Sequence, residues 1–216
     1  MLLCYITDRK QFSGNEAIRR ERLLDTISEA AACGTDYIQL REKDLSARQL
    51  ESLSREAMVR IQSARSSTKL LINSRPDVAL AVGAHGVHLR SEDISPQDVR
   101  KIYQKCDTYS QAREKLAALI IGVSCHTADE VAEAASADAT YGVLGPIFEK
   151  SGLAGTHPLG LEELKKACRY KIPVLALGGM TLQNAQSCIE AGAAGIAGIR
   201  LFQGNKIAKI AAKLKN

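Results

Sequence analysis

Residues 172–199, IPVLALGGMTLQNAQSCIEAGAAGIAGI, contain the repeating unit that decides the fold. Two short apolar runs, 173–177 and 195–199, enclose a glycine pair, Thr181 and a longer stretch with helical spacing. Short runs rich in Val, Ile and Leu, without clean alternation, are typical of strands that are buried on both faces. Threonine often caps the start of a helix, so we expect a helix to begin at Thr181. The segment therefore predicts two parallel strands joined by a helix.

The same unit recurs along the whole chain. The other apolar runs span 2–6, 37–41, 69–73, 86–89, 119–123 and 140–144. Amphipathic stretches separate them: one covers 16–33 and stops at Gly34, and others are expected to begin after the N-caps Ser46 and Thr127. The fourth helix is expected to continue as a polar segment across 101–115.

Eight strands that are each followed by a helix predict an α/β fold, a (β/α)8 TIM barrel, in a single domain over residues 1–216. The alternative, a doubly wound open sheet, would usually carry a glycine-rich turn after its first strand. Residues 7–11 read TDRKQ at that point, so the barrel is favoured. The final segment, GNKIAKIAAKLK (204–215), is expected to be the last barrel helix rather than a membrane-surface helix.

The composition is typical of a folded cytoplasmic protein. The 216 residues are 45% hydrophobic and 25% charged, which is enough to bury a core and excludes disorder. The formal net charge of +5 is mild, and 4% aromatics without Trp argue against a nucleic-acid partner. The six cysteines form no C-x-x-C pair, which indicates reduced thiols. No signal peptide or membrane-length apolar run stands out, so we expect a cytoplasmic location without a membrane partner, while a homo-oligomer stays open.

Polar side chains and glycines cluster where the predicted strands end, which is where barrels of this kind place their active sites. These positions are Gln39, Arg41, Lys43, Asn73, Ser74, Asp93, Ser124, His126, Gly178, Gly179, Ile199 and Arg200. The two-residue period of a strand puts Gln39 and Arg41 on one side, so both are expected to point into the mouth of the barrel. The cluster predicts one mouth that binds an anionic small molecule.

Taken one at a time, these positions support two interpretations. Gly178 and Gly179 precede a predicted helix start, so they fit either a phosphate-binding loop or a tight turn. The cations Arg41 and Lys43 fit a pyrophosphate site, but with an acid after each they also fit a solvated run of charges. Arg200 either adds charge to the phosphate loop or lies on the surface.

The acidic residue and the histidines near the rim also support two interpretations each, or a structural one. Asp93 fits either a Mg²⁺ ligand or a turn residue. His126 fits either a general acid or base or a hydrogen-bonded turn residue. His85 and His88 are expected to be structural, with His88 pointing inward without an obvious partner. No grouping of His, Cys and acidic residues has the spacing of a transition-metal site.

Taken together, these stretches resemble the thiamine phosphate synthase/TenI family over nearly the whole chain. The similarity lies in YITDR (5–9), YIQLREKD (37–44), LLINSRPDVALAVGAHGVHL (70–89), SED (91–93), IIGVSCHTADE (120–130), YGVLGPIF (141–148) and the segment 172–199 quoted above. The resemblance implies a TIM barrel that joins a hydroxymethylpyrimidine pyrophosphate to a thiazole phosphate, giving thiamine phosphate and pyrophosphate, with Mg²⁺ as cofactor. It also implies that pyrophosphate leaves first and that the thiazole nitrogen captures the resulting pyrimidinylmethyl cation.

The resemblance further implies roles for single residues. The positions that match ligands of the pyrimidine pyrophosphate are Gln39, Arg41, Lys43, Asn73 and Ser124. The positions that match the thiazole-phosphate site are Gly179, Ile199 and Arg200, and Asp93 matches a Mg²⁺ ligand. The candidate catalytic residues are Arg41, Lys43 and Ser124, together with His126 for a sister reaction.

Three departures from the family pattern weaken this match. Synthases usually read Asn-Asp where this chain has Asn73-Ser74, so one of two Mg²⁺ carboxylates is missing. The usual Thr-x-Thr-Lys loop after strand six is replaced, which leaves Lys150 and Ser151 as the substitutes. The small polar residue usual at position 200 is an arginine. The lost carboxylate and hydroxyl pair are expected to weaken binding of Mg²⁺-pyrophosphate.

Two other functions fit the same barrel. TenI-type proteins aromatise a thiazole phosphate tautomer without a metal, and they use a His where His126 stands. Their sequence resembles the Asn-Ser-Arg of 73–75, but the complete QLREKD segment and Asp93 favour the synthase, because a tautomerase requires neither. The third function is a non-catalytic protein that binds thiazole phosphate or thiamine phosphate, which would account for the missing carboxylate and the altered loop.

Overall fold

Eight parallel strands pair in sequence order and close into a barrel, so the predicted (β/α)8 fold is confirmed. A computed structural model describes residues 1–106, 118–149 and 157–215 of the chain. The strands are β1 (Leu2–Ile6), β2 (Tyr37–Leu40), β3 (Lys69–Asn73), β4 (Gly86–Leu89), β5 (Ile120–Cys125), β6 (Tyr141–Leu144), β7 (Val174–Ala176) and β8 (Gly195–Gly198). The ring closes where β8 pairs with β1, with Gly195 opposite Leu2.

Helices follow the strands around the outside of the ring. They are α1 (Glu16–Ala32), α2 (Ala47–Ser63), α3 (Pro76–Val82), α4 (Pro96–Cys106), α5 (Ala128–Ser136), α6 (Gly160–Ala167), α7 (Ala185–Glu190), α8 (Arg200–Gln203) and α9 (Ile207–Lys215), with a short 3-10 helix at Arg9–Gln11. Ser46 and Thr127 cap α2 and α5, as predicted. The prediction for Thr181 is wrong, because its hydroxyl accepts from the Asn184 backbone N–H in a separate turn and α7 begins only at Ala185.

The core has two layers, because alternate residues of each strand face the inside of the ring and the helices. The inner layer consists of Cys4, Ile6, Leu71, Tyr141, Val143, Leu175 and Ala197. The outer layer joins the strands to the helices, and Ile207, Ile210 and Leu214 of α9 belong to it. The last segment is therefore a barrel helix, as predicted. None of the described helices combines the length and the apolar character needed to cross a membrane.

Two strand ends at the mouth differ from the prediction. Strand β2 ends at Leu40, because the Arg41 backbone N–H leaves the strand ladder and donates to Thr7 Oγ1 over 2.9 Å. Strand β5 continues to Cys125, two residues beyond the predicted end, so Ser124 lies within the strand. The fixed geometry of a strand therefore positions the Ser124 hydroxyl.

The end of β8 and the length of α4 also differ. Strand β8 ends at Gly198, one residue before the predicted end, and Arg200 opens α8. Strands β6 and β7 are each shorter than predicted. The described part of α4 ends at Cys106, and most of the helical extension expected over 101–115 lies outside the described residues.

All six cysteines are free thiols, as predicted. Cys4 and Cys188 are buried, and burial raises the pKa of Cys4 to about 12 and that of Cys188 to about 11. Both thiols therefore stay protonated at neutral pH and pack as small apolar groups.

Candidate active site

Four polar side chains form a hydrogen-bonded chain across the C-terminal ends of β2, β3 and β4. Gln39 Nε2 donates to Asn73 Oδ1 over 2.7 Å, and Asn73 Nδ2 donates to Ser74 Oγ over 3.0 Å. Ser74 Oγ donates in turn to Asp93 Oδ2 over 2.6 Å. Parallel pairing brings these ends together, since Asn73 of β3 lies opposite His88 of β4. The predicted convergence of Gln39, Asn73 and Asp93 at the mouth is present in the structure.

The direction of this chain follows from its last member. An ionised carboxylate only accepts hydrogen bonds, so Asp93 makes Ser74 the donor. Ser74 Oγ then accepts from Asn73, and Asn73 Oδ1 accepts from Gln39. Gln39 is 2% exposed, and its Oε1 has no hydrogen-bond partner within the described part of the chain. The chain thus leaves one buried acceptor, which an N–H group of a ligand would satisfy.

Asp93 is both a turn residue and an ionised carboxylate. Its Oδ2 accepts from the Arg90 backbone N–H over 2.8 Å, and its Oδ1 accepts from the Arg90 guanidinium over 2.9 Å. Burial by itself would raise the pKa of Asp93, but hydrogen bonds from Ser74 and Arg90 lower it below its ordinary value. Arg90, Asp93 and Ser124 line one pocket of about 200 Å³, which lies between the β4–α4 loop and α5 and is also lined by Glu130 and Glu133. Gln39 and Asn73 do not line this pocket, so it is not the cavity at which their side chains meet. Among the described residues, no three His, Cys, Asp or Glu side chains are grouped to hold a metal by themselves.

The acids of the REKD loop after β2 are held by an arginine from the loop after β1. Glu42 is 6% exposed and accepts from Thr7 Oγ1 and from the Arg9 guanidinium, over 2.6 and 3.0 Å. Asp44 accepts two hydrogen bonds from the same guanidinium, over 2.7 and 2.9 Å. The interpretation of this loop as a solvated run of charges is therefore wrong for Glu42, whereas Asp44 is exposed.

This Arg9–Glu42–Asp44 network was not foreseen from the sequence, although Arg9 lies in the YITDR segment. Arg9 is 3% exposed and also donates to Glu16 Oε1 over 2.6 Å. Burial raises the pKa of Glu42 above its ordinary value, against the hydrogen bonds that lower it, while the Arg9 guanidinium lowers the pKa of Asp44. A buried charge with this many partners fixes the REKD loop against β1.

Arg41 and Lys43 are the cations of that loop. Arg41 is half-buried, and its backbone N–H is anchored on Thr7 Oγ1. Its charge lowers the pKa of the buried His88, so the guanidinium lies in the neighbourhood of that ring. Lys43 is exposed. Two cations that follow Gln39 on the same strand end are suited to a ligand that carries phosphate.

His126 follows β5 and is exposed. Its Nδ1 lies 2.9 Å from Gly145 O, and its backbone N–H donates to Glu130 Oε2 over 2.7 Å. Because a carbonyl oxygen only accepts, Nδ1 carries a hydrogen, and Nε2 of the neutral ring keeps a lone pair. His126 is thus a hydrogen-bonded turn residue whose other nitrogen can still accept a proton.

Gly178 and Gly179 follow β7 with φ angles of 94° and 64°. A Cβ atom at Gly179 would lie 2.5 Å from Glu149 O and 2.7 Å from Phe148 Cβ, so a side chain fits there only if the neighbouring loop moves. Asn184 Nδ2 donates to Gly179 O over 2.9 Å and fixes the turn. The tight-turn interpretation is confirmed, and the bare backbone leaves phosphate binding as a compatible role.

The other predicted contacts to thiazole phosphate are placed only in part. Ile199 packs against the inner layer of the core, and Arg200 is exposed at the start of α8. Strands β7 and β8 are neighbours, so Gly179 and Ile199 lie on adjacent connections. Lys150 and Ser151 lie outside the described residues.

The Gly179→Ala protein is expected to bind thiazole phosphate about tenfold more weakly or worse, because the methyl group strains a left-handed residue and displaces the loop beside it. Calorimetric titration measures this affinity. Gly83→Ala is the matched control, since Gly83 has a φ of 68° with open space around it and lies at the end of α3. Equal affinities for both variants would show that the Gly179 turn does not hold the ligand.

His88 has two partners, which corrects the expectation that it has none. Its Nδ1 lies 3.0 Å from the Tyr141 hydroxyl and its Nε2 lies 2.9 Å from Ser124 Oγ. Ser124, a predicted site residue, is therefore hydrogen-bonded to a buried histidine. The sequence placed His88 inside the barrel, but Tyr141 is 53 positions away and no local pattern joins the two.

Comparison with known proteins gives a consistent family. The family described as "Thiamine monophosphate synthase" matches residues 3–202 of this chain. A thiamine-phosphate synthase from Roseiflexus sp. is 37% identical over 194 residues, which is 89% of this chain and 74% of that protein. Another from Clostridium acetobutylicum is 34% identical over 90% of this chain and 83% of that protein.

Solved structures agree with the sequence matches. The thiamine phosphate pyrophosphorylase from Pyrococcus furiosus is similar with a TM-score of 0.75 at 26% identity, over 98% of this chain and 95% of that chain. A 3-hexulose-6-phosphate synthase, with a TM-score of 0.64 at 17% identity, over 100% of this chain and 98% of that chain, shares the fold alone. With a family match over most of its length and relatives above 30% identity, the chain belongs to the thiamine monophosphate synthase family.

Proposed function

We propose that this chain is a thiamine-phosphate synthase, a transferase that joins 4-amino-2-methyl-5-hydroxymethylpyrimidine pyrophosphate to hydroxyethylthiazole phosphate. The observation that carries the proposal is the directed chain from Asp93 to Gln39, which leaves the buried Gln39 Oε1 without a hydrogen-bond partner among the described residues. Arg41 follows two residues later, just after β2 ends. An aminopyrimidine with a pyrophosphate group has N–H donors and a polyanion, so it complements both features. Membership of the synthase family supports the same reaction.

The reaction breaks the bond between the pyrimidine methylene carbon and a pyrophosphate oxygen, and the electron pair leaves with pyrophosphate. The thiazole nitrogen then bonds to that carbon with its lone pair. The protein has to bind the departing negative charge and hold the two organic partners in line. We assign Arg41 and Lys43 to the pyrophosphate, with Asn73 and Ser124 as further contacts, and Gln39 to the pyrimidine amino group.

We assign the second substrate to the side of the mouth formed by the loops after β7 and β8. Phosphate groups are commonly bound there in barrels of this class, by exposed backbone N–H groups. Gly179 supplies such a backbone, Ile199 an apolar wall and Arg200 a positive charge. Lys150 and Ser151 are the candidates to replace the hydroxyl-rich loop that the chain lacks. Under this proposal the protein is a cytoplasmic enzyme whose partners are small molecules.

Mg²⁺ is part of the proposal as an ion that arrives mainly with the pyrophosphate. Such ions prefer oxygen ligands and often bind through one or two carboxylates together with substrate phosphates. The Asp93 carboxylate is ionised and ends the hydrogen-bonded chain that starts at Gln39, so it fits as the protein ligand, with the Ser74 hydroxyl beside it. When bound, the ion would neutralise part of the pyrophosphate charge.

The Ser74→Asp protein is expected to need about tenfold less Mg²⁺ for half-maximal activity, because a second carboxylate adds an oxygen ligand. Without the ion two adjacent carboxylates repel each other, so its melting temperature should fall and recover on addition of Mg²⁺. The φ of 55° at Ser74 is one that aspartate adopts readily. Ser52→Asp, which adds the same charge to an exposed position of α2, should change neither value. If Ser74→Asp needs as much Mg²⁺ as the wild type, the ion does not bind beside Asp93.

The proposed function is tested by incubating the purified chain with both substrates, with Mg²⁺ and with a chelator. We expect equal amounts of thiamine phosphate and pyrophosphate, formed only with the ion. Tight calorimetric binding of the substrates without product would instead favour a non-catalytic binding protein and overturn the proposal.

A second candidate, aromatisation of a thiazole phosphate tautomer, is favoured by one observation. The Nδ1 of His126 is held by Gly145 O, so its Nε2 lone pair is available as a base. Metal-independent aromatisation of an added thiazole phosphate tautomer, with no thiamine phosphate formed from the two synthase substrates, would replace the synthase with this activity.

A further inference from the structure

A second hydrogen-bonded chain crosses the inside of the barrel and ends at Ser124. The Tyr141 hydroxyl of β6 meets His88 Nδ1 of β4 at 3.0 Å, and His88 Nε2 meets Ser124 Oγ of β5 at 2.9 Å. His88 and Tyr141 are each 1% exposed, while Ser124 is half-buried and is the penultimate residue of β5, at its C-terminal end. The chain therefore joins the barrel interior to the mouth.

The His88 ring is neutral. Burial and the nearby Arg41 charge lower the pKa of His88 to about 3, while Asp93 acts weakly in the opposite direction. A neutral imidazole has one donor nitrogen and one acceptor nitrogen, so only two arrangements of this chain exist. In one, Nε2 carries the hydrogen; in the other, Nδ1 carries it.

Tyr141 decides between the two arrangements. Burial raises the pKa of Tyr141 well above its ordinary value, so the phenol keeps its hydrogen. In the part of the chain that the structure describes, His88 Nδ1 is the hydrogen-bond partner of that hydroxyl. A buried O–H without an acceptor is costly, so Tyr141 donates and Nδ1 accepts. Nε2 then carries the hydrogen and donates to Ser124 Oγ.

With His88 as the donor, Ser124 Oγ has accepted its hydrogen bond from inside the barrel. The hydroxyl hydrogen of Ser124 is then left for a partner other than His88, and Ser124 lies at the C-terminal end of β5, where the mouth of the barrel is. Because Nε2 already carries a hydrogen, His88 cannot take the proton of Ser124 as a base would. Ser124 is therefore arranged as a donor to an anion and not as a nucleophile.

We propose that Tyr141 and His88 are positioning residues that direct the Ser124 hydroxyl hydrogen onto the departing pyrophosphate. This inference rests on the proposed function and deepens it, since it assigns two interior side chains to the bond-breaking step. Hydrogen bonds in series polarise one another. The Tyr141–His88–Ser124 chain, which we call the relay, therefore strengthens the hydrogen bond from Ser124 as negative charge develops on the leaving oxygen.

The surroundings of Tyr141 hold the relay in one geometry. Its ring stacks on Tyr37 with centroids 5.1 Å apart. Gly122 of β5 lies directly against the Tyr141 hydroxyl, where any side chain at 122 would overlap it. Tyr141 thus fills the space that is open because Gly122 has no side chain. Its cluster in the inner layer includes Cys4 and Leu71. The hydroxyl has little freedom to turn away from His88.

The polarity of the relay is tested directly by long-range nitrogen–proton NMR of the imidazole groups in the full-length chain. We expect the His88 signals to show protonated Nε2 and unprotonated Nδ1, with no titration between about pH 5 and 8. A His88→Gln spectrum assigns the signals. Protonation at Nδ1 would make Ser124 the donor to His88 and overturn the inference. This measurement needs no turnover, so it stands even if the synthase assay fails.

The catalytic consequence is tested with a double-mutant cycle. His88→Leu and Ser124→Ala should each lower kcat about 10²-fold while KM for the pyrimidine pyrophosphate changes less than about threefold, because the bond strengthens only as pyrophosphate leaves. The double variant should be no slower than either single one. His88→Gln, which keeps an N–H donor, should recover most of the loss. Additive losses, or no recovery with His88→Gln at an unchanged melting temperature, would reduce His88 to a packing role.

Discussion

The Arg41→Ala protein is expected to form thiamine phosphate with a kcat/KM for the pyrimidine pyrophosphate about 10²–10³-fold below that of the wild type. The Arg41 charge acts on the buried His88, and we assign the guanidinium to the pyrophosphate, where a charged two-pronged donor is worth more than a neutral one. The backbone N–H of Arg41 stays on Thr7, so the loop should keep its shape when the side chain is removed.

Steady-state kinetics and thermal melting together check this prediction. Arg48→Ala is the matched control, because Arg48 is exposed near the start of α2 and the change removes the same charge. Its kcat/KM should stay within about twofold of the wild type, and both variants should melt close to the wild type, as surface substitutions do. Similar losses in the two variants would mean that net charge, and not a contact at the mouth, sets the rate.

The Arg9→Met protein is expected to lose about 3–5 kcal/mol of folding free energy, because the change leaves Glu42 buried without its counter-ion. The side chains of Arg9 and Glu42 are 4% and 1% exposed, so water cannot replace the lost partner. For a chain of this size the loss corresponds to a fall in melting temperature on the order of 10 °C. Chemical denaturation measures the free energy.

A matched control exists in the same part of the fold. Arg20 pairs with Glu56 over 2.8 Å, but both side chains are more exposed, so Arg20→Met should cost at most about 1 kcal/mol. The double variant Arg9→Met, Glu42→Leu should recover much of the stability, since it removes the orphaned charge. Equal losses for Arg9→Met and Arg20→Met would show that burial of the network is not what stabilises the loop.

The barrel could be predicted because its repeat is visible in the chain itself. Strands β1, β3 and β4 begin and end where their apolar runs do. Other ends differ where a contact from a distant segment intervenes. The Thr7 hydroxyl ends β2 by taking the N–H of Arg41, and Thr181 is engaged in its own turn before α7 begins. Such contacts leave no local pattern, so the apolar run alone misplaces the boundary.

The sequence predicted which residues belong to the candidate site but not which hydrogen bonds join them. Residues at strand ends, such as Gln39 and Ser124, follow from the topology of a barrel. The partners of Arg9 and His88 do not, because they lie 33 and 53 positions away in sequence. The sequence shows that cations and acids alternate in REKD (41–44), but only the fold shows that Glu42 is the buried one.

A crystal structure of the chain with inorganic pyrophosphate and Mg²⁺ measures most directly whether these scattered side chains form one anion-binding mouth. The predicted result is a pyrophosphate with oxygen atoms within hydrogen-bond distance of the Arg41 guanidinium and Ser124 Oγ, with the ion between it and Asp93. A pyrophosphate bound away from the C-terminal ends of β2 and β5, at full occupancy, would contradict it.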